Sequence, residues 1–188
     1  MTNLTVTSVP KITKEIAGKV FDSYLEEEVS FTTEMTREEF IEINYLYDED
    51  IHYEIRKDNQ IVGNFGLRSR HFTPSKKMSA LTMIKNFRLV AMSVYVEERL
   101  KLGDLYVSYL YLEPVVKDKE NLLLVLDYIE KLAQNNGAFR FICLDCYRLD
   151  DVMLDTLLEK NYVVTNEVKN SKKEWFYLKK KIIRGATY

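Results

Sequence analysis

A single α/β domain of the α+β kind, with a mixed central sheet flanked by helices, is the architecture that this 188-residue sequence predicts. Three stretches carry the reading. Stretch 104–131, DLYVSYLYLEPVVKDKENLLLVLDYIEK, runs as an apolar strand, a break at Pro114, a charged turn and a helix with a Leu/Val/Ile face. Stretch 51–70 alternates as two strands around Lys57-Asp58-Asn59, and stretch 139–161 repeats the order strand, turn, helix. In the first stretch Leu105, Val107, Tyr109, Tyr111 and Leu112 leave few polar positions, as a central strand covered on both faces requires. Pro114 lacks the N–H that a ladder needs and pushes Glu113 toward extended geometry, so the strand ends there. Leu122, Leu123, Val125, Leu126 and Ile129 then recur at helical spacing. That helix packs back across the sheet and points its first-turn N–H groups at the strand end, a place suited to a ligand.

Composition bounds the possibilities. With 46% hydrophobic residues, 1–188 fits one well-packed domain rather than two. A formal charge of −2 offers no broad basic field for nucleic acid, and no run is long and apolar enough to cross a bilayer. MTNLTVTSVPKITKE has no charged region followed by an apolar one, so a cytoplasmic location is expected. Cys143 and Cys146 mimic a C-x-x-C pair, but the alternating context FICLDCY sets one on each side of a strand, as structural thiols. With only His52 and His71 elsewhere, no metal site is expected.

In chain order, Leu4–Val9 alternates around threonines and stops at Pro10, an outer strand. Thr13 caps a helix whose stripe is Ile12, Ile16, Val20, Phe21 and Leu25, with Glu15 in its first turn. The acidic run Glu26, Glu27 and Glu28 is a solvated helix end or a face for a cationic substrate. T-R-E-E places Glu39 at the third position of a capping box begun by Thr36, and Phe40, Ile41, Ile43 and Leu46 follow; Tyr45 and Tyr47 flank that stripe. Gly63 and Gly66 interrupt the second hairpin strand, which signals a bulge or a close backbone approach, since no phosphate-loop spacing exists. Arg68, Ser69, Arg70 and His71 end it as a solvated turn or an anion contact. Segment 75–102 is predicted mostly helical, with a short strand at Val94-Tyr95-Val96 as the other option, and its broad apolar surface suits core packing or a homodimer contact. Asn135-Asn136-Gly137 stops the helix of the opening stretch. Asp150 and Asp151 start the next, with Val152, Leu154, Leu157 and Leu158 apolar, Met153 at the edge and Asn161 closing it. Residues 162–165 and 174–179 are strands around a turn at 169–173, and the lysines beyond Leu178 form a solvated tail or a weak contact for acidic surfaces.

This order of elements, with KDNQIVGNFGL, VSYLYLEP, FICLDCY and MLDTLLEKNYV, resembles the GNAT acyltransferase superfamily over nearly the whole chain. The resemblance implies a central strand that splays from its neighbour at a bulge, with acetyl-CoA as acyl donor. Its pantetheine would lie on Leu110, Tyr111 and Leu112, and its pyrophosphate on the loop Lys117, Asp118, Lys119, Glu120, Asn121 and Leu122. That loop departs from the family pattern, with Lys117 in place of Arg or Gln and with Glu120 and Leu122 where glycines belong. Asp118 and Glu120 repel a pyrophosphate that Lys117 and Lys119 attract. The family's late-helix tyrosine falls on Leu158, which transfers no proton. The resemblance therefore leaves Glu113 as candidate base, or a plain strand-end carboxylate, and Tyr147 as candidate acid, or a packing residue. The Leu112 N–H would polarise the thioester carbonyl. Two functions follow: N-acetyl transfer to an amine of a small molecule or protein, or a noncatalytic binding or regulatory module that has lost CoA.

Overall fold

The computed structural model describes residues 4–26, 36–46, 50–69, 100–148, 150–170 and 173–183. The elements are β1 (Leu4–Val9), α1 (Lys14–Glu26), α2 (Arg37–Leu46), β2 (Ile51–Lys57), β3 (Gln60–Arg68), β4 (Asp104–Leu112), a 3-10 turn (Pro114–Val116), α3 (Lys119–Asn135), β5 (Phe141–Tyr147), α4 (Asp151–Glu159), β6 (Val163–Asn170) and β7 (Lys173–Lys181). Among the described residues the strands form one seven-stranded sheet in the order β1-β2-β3-β4-β5-β7-β6. Only β4 and β5 pair in parallel, with α3 as their crossover; the other pairs are antiparallel. The mixed sheet flanked by helices is thus the architecture expected.

Local chemistry sets the boundaries. Thr13 Oγ1 accepts from the N–H of Ile16 at 3.2 Å to start α1. At α2 the capping box is reciprocal: Glu39 accepts from the Thr36 N–H at 2.8 Å, and Thr36 Oγ1 from the Glu39 N–H at 3.2 Å. Asp58 and Asn59 take φ of 50° and 67°, the left-handed pair of a two-residue hairpin turn between β2 and β3.

Each sheet face has its own core. Ile55, Phe65, Leu105, Val107, Ile142, Leu144 and Leu178 meet α3 and α4 through Leu122, Val125, Leu126, Ile129, Met153 and Leu157. On the opposite face Ile12, Ile16, Ala17 and Val20 of the α1 region pack against Ile61, Tyr109, Tyr111 and the α2 residues Phe40 and Ile41. Cys143 and Cys146 belong to different clusters, one on each side of β5, as alternation requires, and both thiols are free. Burial pushes the Cys143 thiol up to about 11, which keeps it protonated and inert at neutral pH.

Several expectations change. Leu25 is exposed rather than part of the α1 stripe. In α4, capped by Asp150 through the Met153 N–H, the buried positions are Met153, Thr156 and Leu157, whereas Val152 and Leu158 face solvent. The final hairpin is longer than expected, and Lys179 and Lys180 are structural. Lys179 binds both oxygens of buried Asp104 at 2.9 Å, and Lys180 lies 2.8 Å from Glu130. Strand β7 continues to Lys181 because it still has β5 to pair with at Phe141. The expectations for Glu27, Glu28, Tyr47, Arg70, His71 and most of 75–102 lie outside the described residues.

Candidate active site at the splayed strands

The parallel ladder of β4 and β5 is short. It runs from Asp104 opposite Phe141 to Val107 opposite Leu144 and stops, although β4 continues to Leu112 and β5 to Tyr147. The cause lies on the other side of β4. There Leu67 pairs with Val107 and Gly66 with Tyr109, so Ser108 is an extra residue, a β-bulge that bends the strand away. Glycine permits this crowding. A Cβ on Gly66 would sit 2.5 Å from the Tyr109 ring and 2.6 Å from Ser108 Oγ, and one on Gly63 would sit 2.5 Å from the Tyr111 carbonyl oxygen. Both glycines mark the close backbone approach that their positions suggested.

The bulge also sets the directions of the groups beyond it. The Glu113 N–H donates to the Val62 carbonyl of β3 at 2.8 Å, so by alternation the Leu112 N–H points the other way, into the opening. Leu110 and Leu112 send their side chains into the α3-side core, while Tyr111 faces α1. Burial, and then the charge of Glu113, raises the Tyr111 phenol above its ordinary pKa.

Glu113 is not a lone carboxylate. Lys19 of α1 donates to its Oε1 at 2.7 Å and also lies 3.5 Å from Glu15. Tyr147 closes β5 on the far wall, its ring 5.2 Å from that of Trp175 on β7. Leu158 is on the exposed side of α4.

The loop after β4 is internally braced. Asp118 caps α3 by accepting from the Asn121 N–H at 2.8 Å, and its carbonyl accepts from the Leu122 N–H at 3.0 Å. Buried Asn121 ties the loop by donating to the Val116 carbonyl at 3.0 Å and to Asp118 at 2.9 Å. Leu122 turns into the core and Glu120 faces solvent. Both lysines are engaged, Lys117 with Asp150 at 2.7 Å and Lys119 with Glu159 at 2.6 Å. The structure therefore brings Leu112, Glu113 and the 117–122 loop together at one end of β4, with the helix N-terminus already holding a carboxylate of its own.

Other polar groups gather on the α1 side that the sequence reading did not single out. Tyr106 donates to Asp145 at 2.6 Å, and burial, then Asp145, raises its phenol well above the ordinary value. His52 Nδ1 and the Tyr109 hydroxyl lie 2.7 Å apart, in the row of β2, β3 and β4 that Gly66 leaves open. Ser108 donates to Asp50, which also accepts from Arg68 at 2.7 Å. The odd spacing from Tyr106 to Tyr109 hid their common face, because only the bulge restores it.

No family model matches the sequence, and no curated protein does. Solved structures do match. A GNAT-family acetyltransferase from Streptococcus pneumoniae aligns over 96% of this chain and 99% of its own, with 14% identity and a TM-score of 0.57. A Bacillus subtilis acetyltransferase in complex with CoA covers 96% and 100%, with 12% identity and a TM-score of 0.56. An aminoglycoside 6'-acetyltransferase type Ii covers 96% and 99%, with 13% identity and a TM-score of 0.56. The splayed β4–β5 pair, the bulge that causes it and these alignments together establish that this chain has the fold of the GNAT acetyltransferases.

Proposed function

We propose that the chain is an N-acyltransferase that moves an acetyl group from acetyl-CoA to an amine of a small molecule or protein. The observation that carries this reading is the Leu112 N–H aimed into the β4–β5 opening, beside the end of the strand and the start of α3. Leu110, Tyr111 and Leu112 would hold the pantetheine through backbone groups, and the 117–122 loop would meet the pyrophosphate. The Leu112 N–H stabilises the oxyanion as the amine nitrogen bonds to the thioester carbon. The C–S bond then breaks. Glu113 takes the proton from the ammonium, directly or through water, and Tyr147 supplies one to the departing thiolate.

A second reading has an observation of its own. Asp118 occupies the helix N-terminus and both loop lysines are paired, an arrangement that weakens anion binding and suits a noncatalytic module of the same fold. The two separate on titration with acetyl-CoA, read by melting temperature or by Trp175 fluorescence. The transferase reading expects saturable binding, followed by release of free thiol with a panel of amines; no response at millimolar acetyl-CoA would overturn it.

A further inference from the structure

A primary amine of the chain already stands at the candidate active site. Lys19 of α1 reaches across to the end of β4 and donates to Glu113 Oε1 at 2.7 Å. The two loop lysines are held elsewhere, Lys117 by Asp150 and Lys119 by Glu159. The Lys19 side chain is 33% exposed and that of Glu113 is 28% exposed, so the contact is open to approach from solvent. An ion pair of this exposure contributes little to stability. Its place is more telling. Glu113 directly follows Leu112, whose N–H points into the β4–β5 opening. Tyr111 stands beside both charges: after burial, Glu113 raises the pKa of its phenol and Lys19 lowers it.

The amine is therefore hydrogen-bonded to the carboxylate that the transferase reading uses as base, one residue from the N–H that would hold the thioester carbonyl. Four flexible carbons carry its nitrogen, which can swing toward that carbonyl without moving α1. We infer that Lys19 is itself an acceptor, so that the chain transfers the acetyl group of acetyl-CoA to its own Lys19 Nζ. This inference rests on the acyltransferase reading of the same site. Glu113 takes one proton from the ammonium along the existing hydrogen bond, and the electron pair so freed attacks the thioester carbon. The C–S bond then breaks. Tyr147 gives a proton to the thiolate and regains one from the nitrogen. The products are Nζ-acetylated Lys19, the free thiol of CoA and a protonated Glu113 that returns its proton to water. The acetylated nitrogen is uncharged, so the ion pair with Glu113 ends.

The test is incubation of the full chain with acetyl-CoA and no added amine, followed by intact-mass and peptide mass spectrometry over time. Uncatalysed acetylation supplies the contrast. It favours exposed amines such as Lys11 and Lys14, whereas the hydrogen bond to Glu113 raises Lys19 above its ordinary pKa and makes it a poor target in free solution. Lys19 should nonetheless gain its acetyl group at least about tenfold faster than Lys14, at a rate constant independent of protein concentration. Glu113→Gln should slow that step by about 10²- to 10⁴-fold and leave Lys14 unaffected. In Lys19→Arg, which keeps a cation beside Glu113, the fast acetylation should vanish while acetyl-CoA still binds. Acetylation of Lys19 no faster than of Lys14, an unchanged rate in Glu113→Gln, a fast step that persists in Lys19→Arg, or a rate proportional to protein concentration would each overturn the inference. An acetyl-CoA titration of wild type runs in parallel: absence of binding sinks the transferase reading and this inference with it, whereas saturable binding without acetylation of Lys19 sinks the self-acetylation alone.

Discussion

The ammonium of Lys19 donates to Oε1 of Glu113 at 2.7 Å, tying α1 to the end of β4 at the opening between the strands. The contact raises the lysine above its ordinary pKa, chiefly through that hydrogen bond, and it holds the carboxylate in place. If Glu113 removes the proton from the attacking ammonium, Glu113→Gln should lower kcat by about 10²- to 10⁴-fold. Acetyl-CoA affinity should not change, since the carboxylate does not meet the donor. Both partners are about one-third exposed, so stability should fall by less than about 1 kcal/mol. Thiol-release kinetics beside a urea titration check both, and unchanged turnover would remove Glu113 from the mechanism.

The bulge at Ser108 depends on the missing side chain of Gly66. In Gly66→Ala the new methyl would meet the Tyr109 ring at 2.5 Å, and relief requires the ring to leave His52. We expect a loss of about 1–3 kcal/mol in urea unfolding. Gly63→Ala should cost at least as much, since its nearest contact is the Tyr111 carbonyl, which is backbone and cannot swing aside. Equal stability to wild type in both variants would mean that β3 and β4 are not so closely set.

What could be read in the sequence was whatever local chemistry decides. The capping box at Thr36 and Glu39, the Pro114 strand end and the amphipathic α3 need only neighbours a few residues away, and each stands where it was expected. The Ser108 bulge is different, because the extra residue is defined only by how Gly66 and Leu67 pair across from it. The alternation of β4 therefore cannot be phased past Val107 from the sequence alone, which conceals the shared face of Tyr109, His52 and Asn64. The charged, glycine-free character of the 117–122 loop is legible in the sequence. That Asp118 is a helix cap, and that Lys117 and Lys119 each have a carboxylate partner, depends on α3 and α4 packing together.

Asp118 sets stability against affinity. Its carboxylate caps α3, and Asp118→Ala should cost about 1 kcal/mol of unfolding free energy. The same change frees the Asn121 N–H and removes a negative charge from a helix N-terminus, so acetyl-CoA should bind more tightly, by roughly 3- to 10-fold. Calorimetric titration beside thermal melts would show the opposed signs. Weaker or equal binding in the variant would mean that the pyrophosphate does not lie at this helix end.

Cys143 makes a pH prediction. Its thiol titrates at about 11 in the folded chain against an ordinary 9.0, because burial disfavours the thiolate. The unfolded chain therefore releases this proton first, and binds fewer protons than the folded chain between those values. Stability is intact below pH 9 and falls as the pH rises toward 11, by at most roughly 2–3 kcal/mol from this group. Buried Tyr106 and half-buried Tyr177 add to the trend at higher pH. In Cys143→Ala the decline between pH 9 and 11 should be shallower, as read by urea unfolding at a series of pH values; an identical slope would mean that the thiol is not shielded.

Asp104 tests the reassigned lysines. Its side chain is 2% exposed, accepts the Lys101 N–H at 3.2 Å and receives Lys179 on both oxygens, linking the start of β4 to β7 across β5. The Lys179 ammonium also sits 4.3 Å from the centre of the Phe141 ring, so the pair is enclosed rather than rinsed by solvent. Removing one member leaves the other charge buried without its partner, which costs about 3–5 kcal/mol. Asp104→Ala should therefore destabilise the chain by that order, and Lys179→Met by at least as much, because it leaves the more deeply buried Asp104 carboxylate with only the Lys101 N–H. Lys181→Ala, at an exposed position two residues on, should change stability by no more than about 0.5 kcal/mol. Chemical denaturation of the three variants decides between a structural pair and a solvated tail: similar small effects in all of them would restore the tail.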